Sequence, residues 1–164
     1  QRMQLAAPGP ALQKRMPSRG RLLAINDSKA TTVQAVAAAL ASFQQPHQRA
    51  FVLLGGRAKG ADFGQLAEFQ DWECFAYGEA GPQIAERLGS SSVYPDLPTA
   101  YRAAADAAIA WLSAAARQTE QPASEAVLLL SPGCASYDAY ASYLARGDHF
   151  CELVKGGEIP ERAP

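Results

Sequence analysis

The chain has 164 residues, 48% of them hydrophobic, a length and composition that suit one domain with a proper core. Fifteen basic and 16 acidic residues leave a net charge of −1, so no chain-wide field exists for nucleic acid or an anionic membrane surface. Cys74, Cys134 and Cys151 are widely separated and odd in number, which argues against a disulfide framework or a CxxC metal site and favours a reducing cytoplasm. No apolar run approaches the roughly 18 residues of a membrane span, and no charged-then-apolar signal segment opens the chain. The first residue is Gln, from which a fragment or processed chain is expected.

Arg2 to Ala6 reads as an opening strand broken by Pro8-Gly9-Pro10. The basic segment from Gln13 to Gly20 has neither the helical nor the strand period and reads as an exposed loop or hairpin. Leu22 to Ile25 is a short continuous apolar run of the kind a buried parallel strand shows. From Thr31 the pattern becomes helical, with Val33, Val36, Ala37 and Leu40 on one face, and it stops before Pro46. The turn between them carries Asp27, Ser28, Lys29 and Thr31. Either Asp27 or Ser28 caps the helix while Lys29 points to solvent, or the turn holds an anionic ligand at the carboxyl end of the strand.

Ala50 to Leu54 is a second buried-strand run, and it empties into Gly55-Gly56-Arg57-Ala58-Lys59-Gly60. The glycines permit close backbone approach to a ligand or positive φ, with Lys59 among them; the segment lacks the GxxxxGK[ST] pattern of a phosphate loop. A Gly-rich turn with a surface lysine is the structural alternative. Asp62 reads as the cap of a short helix through Leu66 and Phe69. Glu73 to Tyr77 is a third strand, followed by a helix from about Pro82 to Leu88. Ser92 to Tyr94 is a brief strand, and an alanine-rich helix runs from Leu97 to about Arg117 with Tyr101, Ala104, Ala105, Ala108 and Leu112 on its apolar face.

Ala126 to Leu130 is another strong strand, again emptying into small residues, Ser131 to Ser136. A helix is expected from near Tyr137 or Asp138, presenting Tyr140 and Tyr143 and ending at Arg146-Gly147, with a further short helix over Asp148 to Lys155 and a frayed tail after Gly156. Ser136 serves there either as an N-cap or, with free backbone N–H groups, as a carboxylate ligand. His47 and His149 have no partners at metal-ligand spacing, so no metal site is expected. The repeated strand–turn–helix order predicts an α/β fold: a Rossmann-like, mostly parallel sheet of about six strands with helices on both faces.

Asn26 to Thr31, Gly55-Gly56 with Lys59 and Ala61 to Phe63, and Leu129 to Asp138 followed by Arg146-Gly147 and Phe150, resemble the C-terminal domain of the Mur ligase family, and within it the branch that adds D-glutamate. Sister branches tend to follow the aspartate with an aromatic residue and then a His- or Asn-Pro pair, whereas Ser28-Lys29-Ala30-Thr31 follows Asp27 here. The resemblance covers nearly the whole chain. It implies an ATP- and Mg2+-dependent amide ligase of peptidoglycan synthesis, whose N-terminal UDP-binding and central ATPase domains are absent from residues 1–164. The single domain present would bring D-glutamate to an acyl phosphate formed on UDP-N-acetylmuramoyl-L-alanine, and alone it is expected to be inactive.

Carried over by position, Thr31, Lys59 and Ser136 would hold the carboxylates of D-glutamate, with backbone help from Tyr137 and Tyr143. Asp27 would touch the ATP ribose, Lys29 would lie near the nucleotide and the developing charge as the catalytic cation, and Arg2 would contact the nucleotide. Partners implied are these small molecules and the missing domains, with no nucleic acid and no membrane, in the cytoplasm. Thr32 stands where the family usually has asparagine, Arg57-Ala58 where an acidic residue or glycine is common, and Tyr143 where phenylalanine is usual. The competing readings are another Mur or folylpolyglutamate ligase domain and a stand-alone module that binds carboxylates or nucleotides.

Overall fold

A computed structural model describes residues 3–58, 60–89 and 92–156. Its centre is one six-stranded sheet of β1 (Gln4–Ala6), β2 (Arg21–Asn26), β3 (Gln48–Gly55), β4 (Trp72–Tyr77), β5 (Val93–Tyr94) and β6 (Glu125–Leu130), in the spatial order β1-β2-β6-β3-β4-β5. Only β1 runs antiparallel to its neighbour, pairing Gln4 with Asn26; every other pairing is parallel. The expected Rossmann-like α/β sheet is therefore present.

Strand alternation builds two cores, because successive side chains leave opposite faces of the sheet. Ala50, Val52 and Leu54 of β3 and Val127 and Leu129 of β6 meet α2 (Val33–Ala41), the 3₁₀ turn Phe63–Glu68 and α3 (Gly81–Leu88). Phe51, Leu53, Ala126, Leu128 and Leu130 meet α4 (Leu97–Ala116) and α5 (Tyr143–Lys155) on the other face. Both faces of β3 and β6 are covered, which is why those strands read as unbroken apolar runs.

Several local expectations are corrected. The end of the Pro8-Gly9-Pro10 break and the first two residues of the segment read as a loop or hairpin belong to α1 (Pro10–Lys14), with Pro10 in its first turn and Leu12 anchoring it in the core. Arg15 to Gly20 carries neither helix nor strand, as expected. Helix α2 begins at Val33, not Thr31, and its N-cap is Thr32, whose hydroxyl accepts the Ala35 N–H at 3.2 Å. No helix begins at Tyr137 or Asp138: a single turn closes there, with the Ser136 carbonyl accepting the N–H groups of Ala139 and Tyr140. The helix starts instead at Tyr143, capped by Ser142, whose hydroxyl accepts from Ala145, and runs unbroken through Arg146-Gly147 to Lys155. Gly156 at φ +94° ends it as a left-handed cap.

The parallel strands β2, β6, β3 and β4 end on one rim. From β2 and β3 the chain turns to the face of α2 and the 3₁₀ turn, whereas from β6 it passes to the face of α5. Loops leaving neighbouring strands toward opposite faces open a crevice at this switch of direction, the place where open α/β sheets bind ligands.

Candidate ligand-binding rim

Three loops meet at the rim, and the backbone stitches them together. The Asp27 N–H extends the β2–β6 ladder to the Leu130 carbonyl at 2.8 Å, and the Gly133 N–H reaches the Ala30 carbonyl at 2.8 Å. Between the β3 and β6 loops, Arg57 and Ala135 form an antiparallel bridge, N–H to carbonyl in both directions at 2.9 and 3.2 Å. Gly56 makes that bridge possible: it sits at φ +124°, and a Cβ there would lie 2.2 Å from the Ala135 carbonyl oxygen.

The β2 loop is shaped by Asn26, whose Oδ1 accepts the Ser28 N–H at 3.1 Å in a side-chain turn. Asp27 is half-buried and accepts a hydrogen bond from the Ser131 hydroxyl at 3.2 Å. Burial pushes its carboxyl above the usual aspartate range, and the Ser131 donor offsets part of that rise. Lys29 and Thr31 are exposed on the outer side of the same loop.

Beneath all three loops lies Arg146, which is fully buried. Its Nε donates to the Ser28 hydroxyl at 2.9 Å and its Nη2 to the Ser28 carbonyl at 2.9 Å. The two terminal nitrogens each reach the Cys134 carbonyl at 3.2 Å, and Nη1 reaches the Gly55 carbonyl at 3.4 Å. One planar guanidinium thus joins the loops after β2, β3 and β6, a task its fork of five N–H donors suits. The sequence carried a signal for this burial, since Arg146 lies at helical spacing from Phe150, Leu153 and Val154 on the buried stripe of α5. Reading Arg146-Gly147 as a helix end concealed it. Ser131 and Asn26 were likewise not singled out as supports of Asp27 and its loop.

Two of the clefts on the rim border the loop after β2. The larger, about 350 Å³, lies between Thr31, the Arg57 and Gly60-to-Asp62 stretch, and Gly133 to Ala135. The smaller, about 60 Å³, lies between Asp27, Ser28 and Lys29 of the β2 loop and Tyr143, Gly147 and Asp148 of α5. Thr31 thus faces the β3 glycine loop, while Asp27 and Lys29 face the start of α5 together with Tyr143. Ser136 follows the cleft residue Ala135 and is only 2% exposed, whereas Tyr137 beside it is 66% exposed. Tyr143 therefore borders the smaller cleft and not the one that Thr31 lines. Arg2 and Lys59 lie outside the described residues.

Burial pushes the Cys134 thiol up to about 12, with the Arg146 charge opposing, so this cysteine is no nucleophile near neutral pH. Among the described residues no group of three or more His, Cys, Asp or Glu side chains is arranged to hold a metal ion, and no helix is long and apolar enough to cross a membrane.

No family model matches the chain. Curated relatives do. A UDP-N-acetylmuramoylalanine–D-glutamate ligase of Rhizobium meliloti is 38% identical over 146 residues, 86% of this chain and 29% of that protein. The ligase of the same name from Nitrobacter hamburgensis is 38% identical over 89% of this chain and 30% of its own length, and that of Haemophilus influenzae 38% over 80% and 27%. The chain thus spans under a third of the length of these relatives, in their C-terminal portion. On that similarity, and with the α/β sheet its sequence predicts, the chain belongs to the UDP-N-acetylmuramoylalanine–D-glutamate ligase family.

Proposed function

We propose that this chain is the C-terminal, amino-acid-presenting domain of an ATP-dependent ligase that joins D-glutamate to UDP-N-acetylmuramoyl-L-alanine. The observation that carries the reading is the larger cleft, where Thr31, the β3 glycine loop and the backbone of Gly133 to Ala135 converge at the sheet's switch point. A dicarboxylate needs several N–H, hydroxyl and cationic donors on one wall. Thr31 and Ser136 supply hydroxyls, and Lys59, between Ala58 and Gly60 of the same glycine loop, supplies the cation. The backbone of Tyr137, next to Ser136, completes the set in this reading, whereas Tyr143, on the smaller cleft, falls outside it.

The smaller cleft supports a division of labour. At about 60 Å³ it is much the smaller of the two and open to solvent beside Asp27 and Lys29. In this reading Asp27 accepts from a ribose hydroxyl, Lys29 faces the phosphates and Arg2 is the further nucleotide contact, while the rest of the nucleotide is held by another part of the protein. The phosphate loop and the Mg2+ ions belong, in this reading, to a central domain, and an N-terminal domain holds the UDP group. ATP supplies the activated acyl phosphate; this chain holds the amine nucleophile against it, and the gain is proximity and orientation.

A coupled ADP-release assay on the chain alone and on the complete ligase tests the assignment. Turnover is expected only from the complete protein, and turnover by the chain alone would overturn the division of labour. Lys59→Glu in the complete ligase is expected to raise KM for D-glutamate and to lower kcat. Unchanged kinetics would remove Lys59 from the site.

A further inference from the structure

Arg146 is a fully buried cation with no carboxylate within 4 Å among the described residues. All five of its hydrogen bonds go to neutral acceptors: the Ser28 hydroxyl and the carbonyls of Ser28, Gly55 and Cys134. Those acceptors satisfy its N–H groups and leave its unit charge in place. The charge lies against the wall of the larger cleft, since both terminal nitrogens reach the carbonyl of Cys134, which lines that cleft, at 3.2 Å.

Among the described residues, the exposed charges of the cleft do not supply a comparable field. Arg57 is paired with Glu79 at 3.3 Å, both side chains about half exposed, and Asp62 stands on the same rim. Exposed ions are screened within about 8 Å at physiological salt, whereas a buried charge is screened much less. Asp138 acts on the same Tyr77 and Cys134 side chains as Arg146 but makes no ion pair with it.

We propose that Arg146 is a positioning and specificity residue: its unpaired buried charge makes the larger cleft select a dianionic ligand over a neutral isostere, while its fork fixes the spacing of the three loops. The proposal rests on the reading of that cleft as the amino-acid site. It assigns to Arg146 a role in recognition without contact with the ligand.

The test uses the 15N-labelled chain, titrated with glutarate and with its neutral diamide, glutaramide, and followed by amide shifts around Thr31 and Gly133. The wild type is expected to prefer glutarate by about tenfold or more, about 1.4 kcal/mol. Arg146→Lys, which keeps the charge, should retain most of that preference; Arg146→Gln, which keeps an N–H donor without the charge, should lower it at least threefold, leaving what Lys59 contributes. Arg57→Gln, at an exposed site, should lower it less than threefold and keeps the test usable if the Gln variant does not fold. An unchanged preference in folded Arg146→Gln, equal losses in the Lys and Gln variants, or loss of the whole preference in Arg57→Gln would each overturn the proposal. In the complete ligase, the folded Arg146→Gln variant should raise KM for D-glutamate several-fold more than KM for ATP, whereas a merely structural role would raise both alike. A wild-type ligase that ignores D-glutamate while the chain still discriminates glutarate from glutaramide would refute the substrate and leave the charge effect standing.

Discussion

Gly147 sits in the interior of α5, where replacing glycine by alanine ordinarily stabilises a helix by about 1 kcal/mol. Here the expected sign is reversed. A Cβ on Gly147 would stand 2.7 Å from Asn26 Nδ2, 2.9 Å from Oδ1 and 3.2 Å from Cγ. Asn26 cannot simply move aside, because its Oδ1 accepts the Ser28 N–H at 3.1 Å and its Nδ2 donates to Cys151 Sγ at 3.5 Å. Overpacking at such a contact costs about 1–3 kcal/mol, and the lost turn bond about 1 kcal/mol more. Against the helix gain, Gly147→Ala should lose about 1–3 kcal/mol net, which for a chain of this size lowers Tm by about 2–4 °C per kcal/mol. Thermal and urea unfolding followed by circular dichroism measure it. The double variant Asn26→Ala/Gly147→Ala has no clash and regains the helix term, so it should be more stable than the two single losses sum to, with a coupling of about 1 kcal/mol or more. A Gly147→Ala protein at least as stable as wild type, or strictly additive losses, would refute the claim that Asn26 and α5 fix the β2 loop together.

Asp27 gives a pH test. Its folded carboxyl is raised, chiefly by burial, so its contribution to folding is fully present below the unfolded value of 3.8 and is lost as pH rises through the folded value. Asp27→Asn should therefore gain in stability relative to wild type between pH 3 and pH 7 in urea titrations at each pH; a gap independent of pH would contradict the assignment. Thr32→Ala removes the α2 cap, whose hydroxyl accepts from Ala35 at 3.2 Å, and should lose about 1 kcal/mol in the same assay, while Thr32→Asn should be nearly neutral. Gly56→Ala combines a Cβ 2.2 Å from the Ala135 carbonyl with φ +124°, about 1–3 kcal/mol of backbone strain on top of overpacking. Its expected readout is loss of amide-exchange protection at Arg57 and Ala135, the bridge those residues make.

The strands were legible because burial on both faces writes itself as an unbroken apolar run; Ala50 to Leu54 and Ala126 to Leu130 have almost no other reading. Caps were less legible, since Ser, Thr and Asp occur in clusters and only the backbone decides which one is used. The turn after β2 offered Asp27 or Ser28 and the one after β6 offered Ser136; the structure uses Thr32 and Ser142 instead. The shared rim of the loops followed from parallel strand order alone, but their division into two clefts did not. That division depends on where α5 begins, and α5 begins late because a turn held by the Ser136 carbonyl comes first. Arg146 was the least legible feature, because a charged residue in a helix is by default a solvated one.

What selects an arginine at this point is the set of groups that the switch in chain direction leaves behind. Where β2 and β3 lead to one face and β6 to the other, the carbonyls of Ser28, Gly55 and Cys134 converge on one fully buried spot. They belong to the backbone, so no substitution elsewhere can remove them, and each left without a donor would cost about 1–3 kcal/mol. An apolar side chain would fill the space and orphan all three; a lysine offers three donors on a point charge and cannot span them in one plane. Many buried ion pairs can be replaced by packed hydrophobic residues at little loss because both partners are side chains. Here only one partner is a side chain. The requirement that buried backbone be satisfied therefore places a permanent cation against the wall of the cleft, and the field at the ligand site follows from the topology of the sheet.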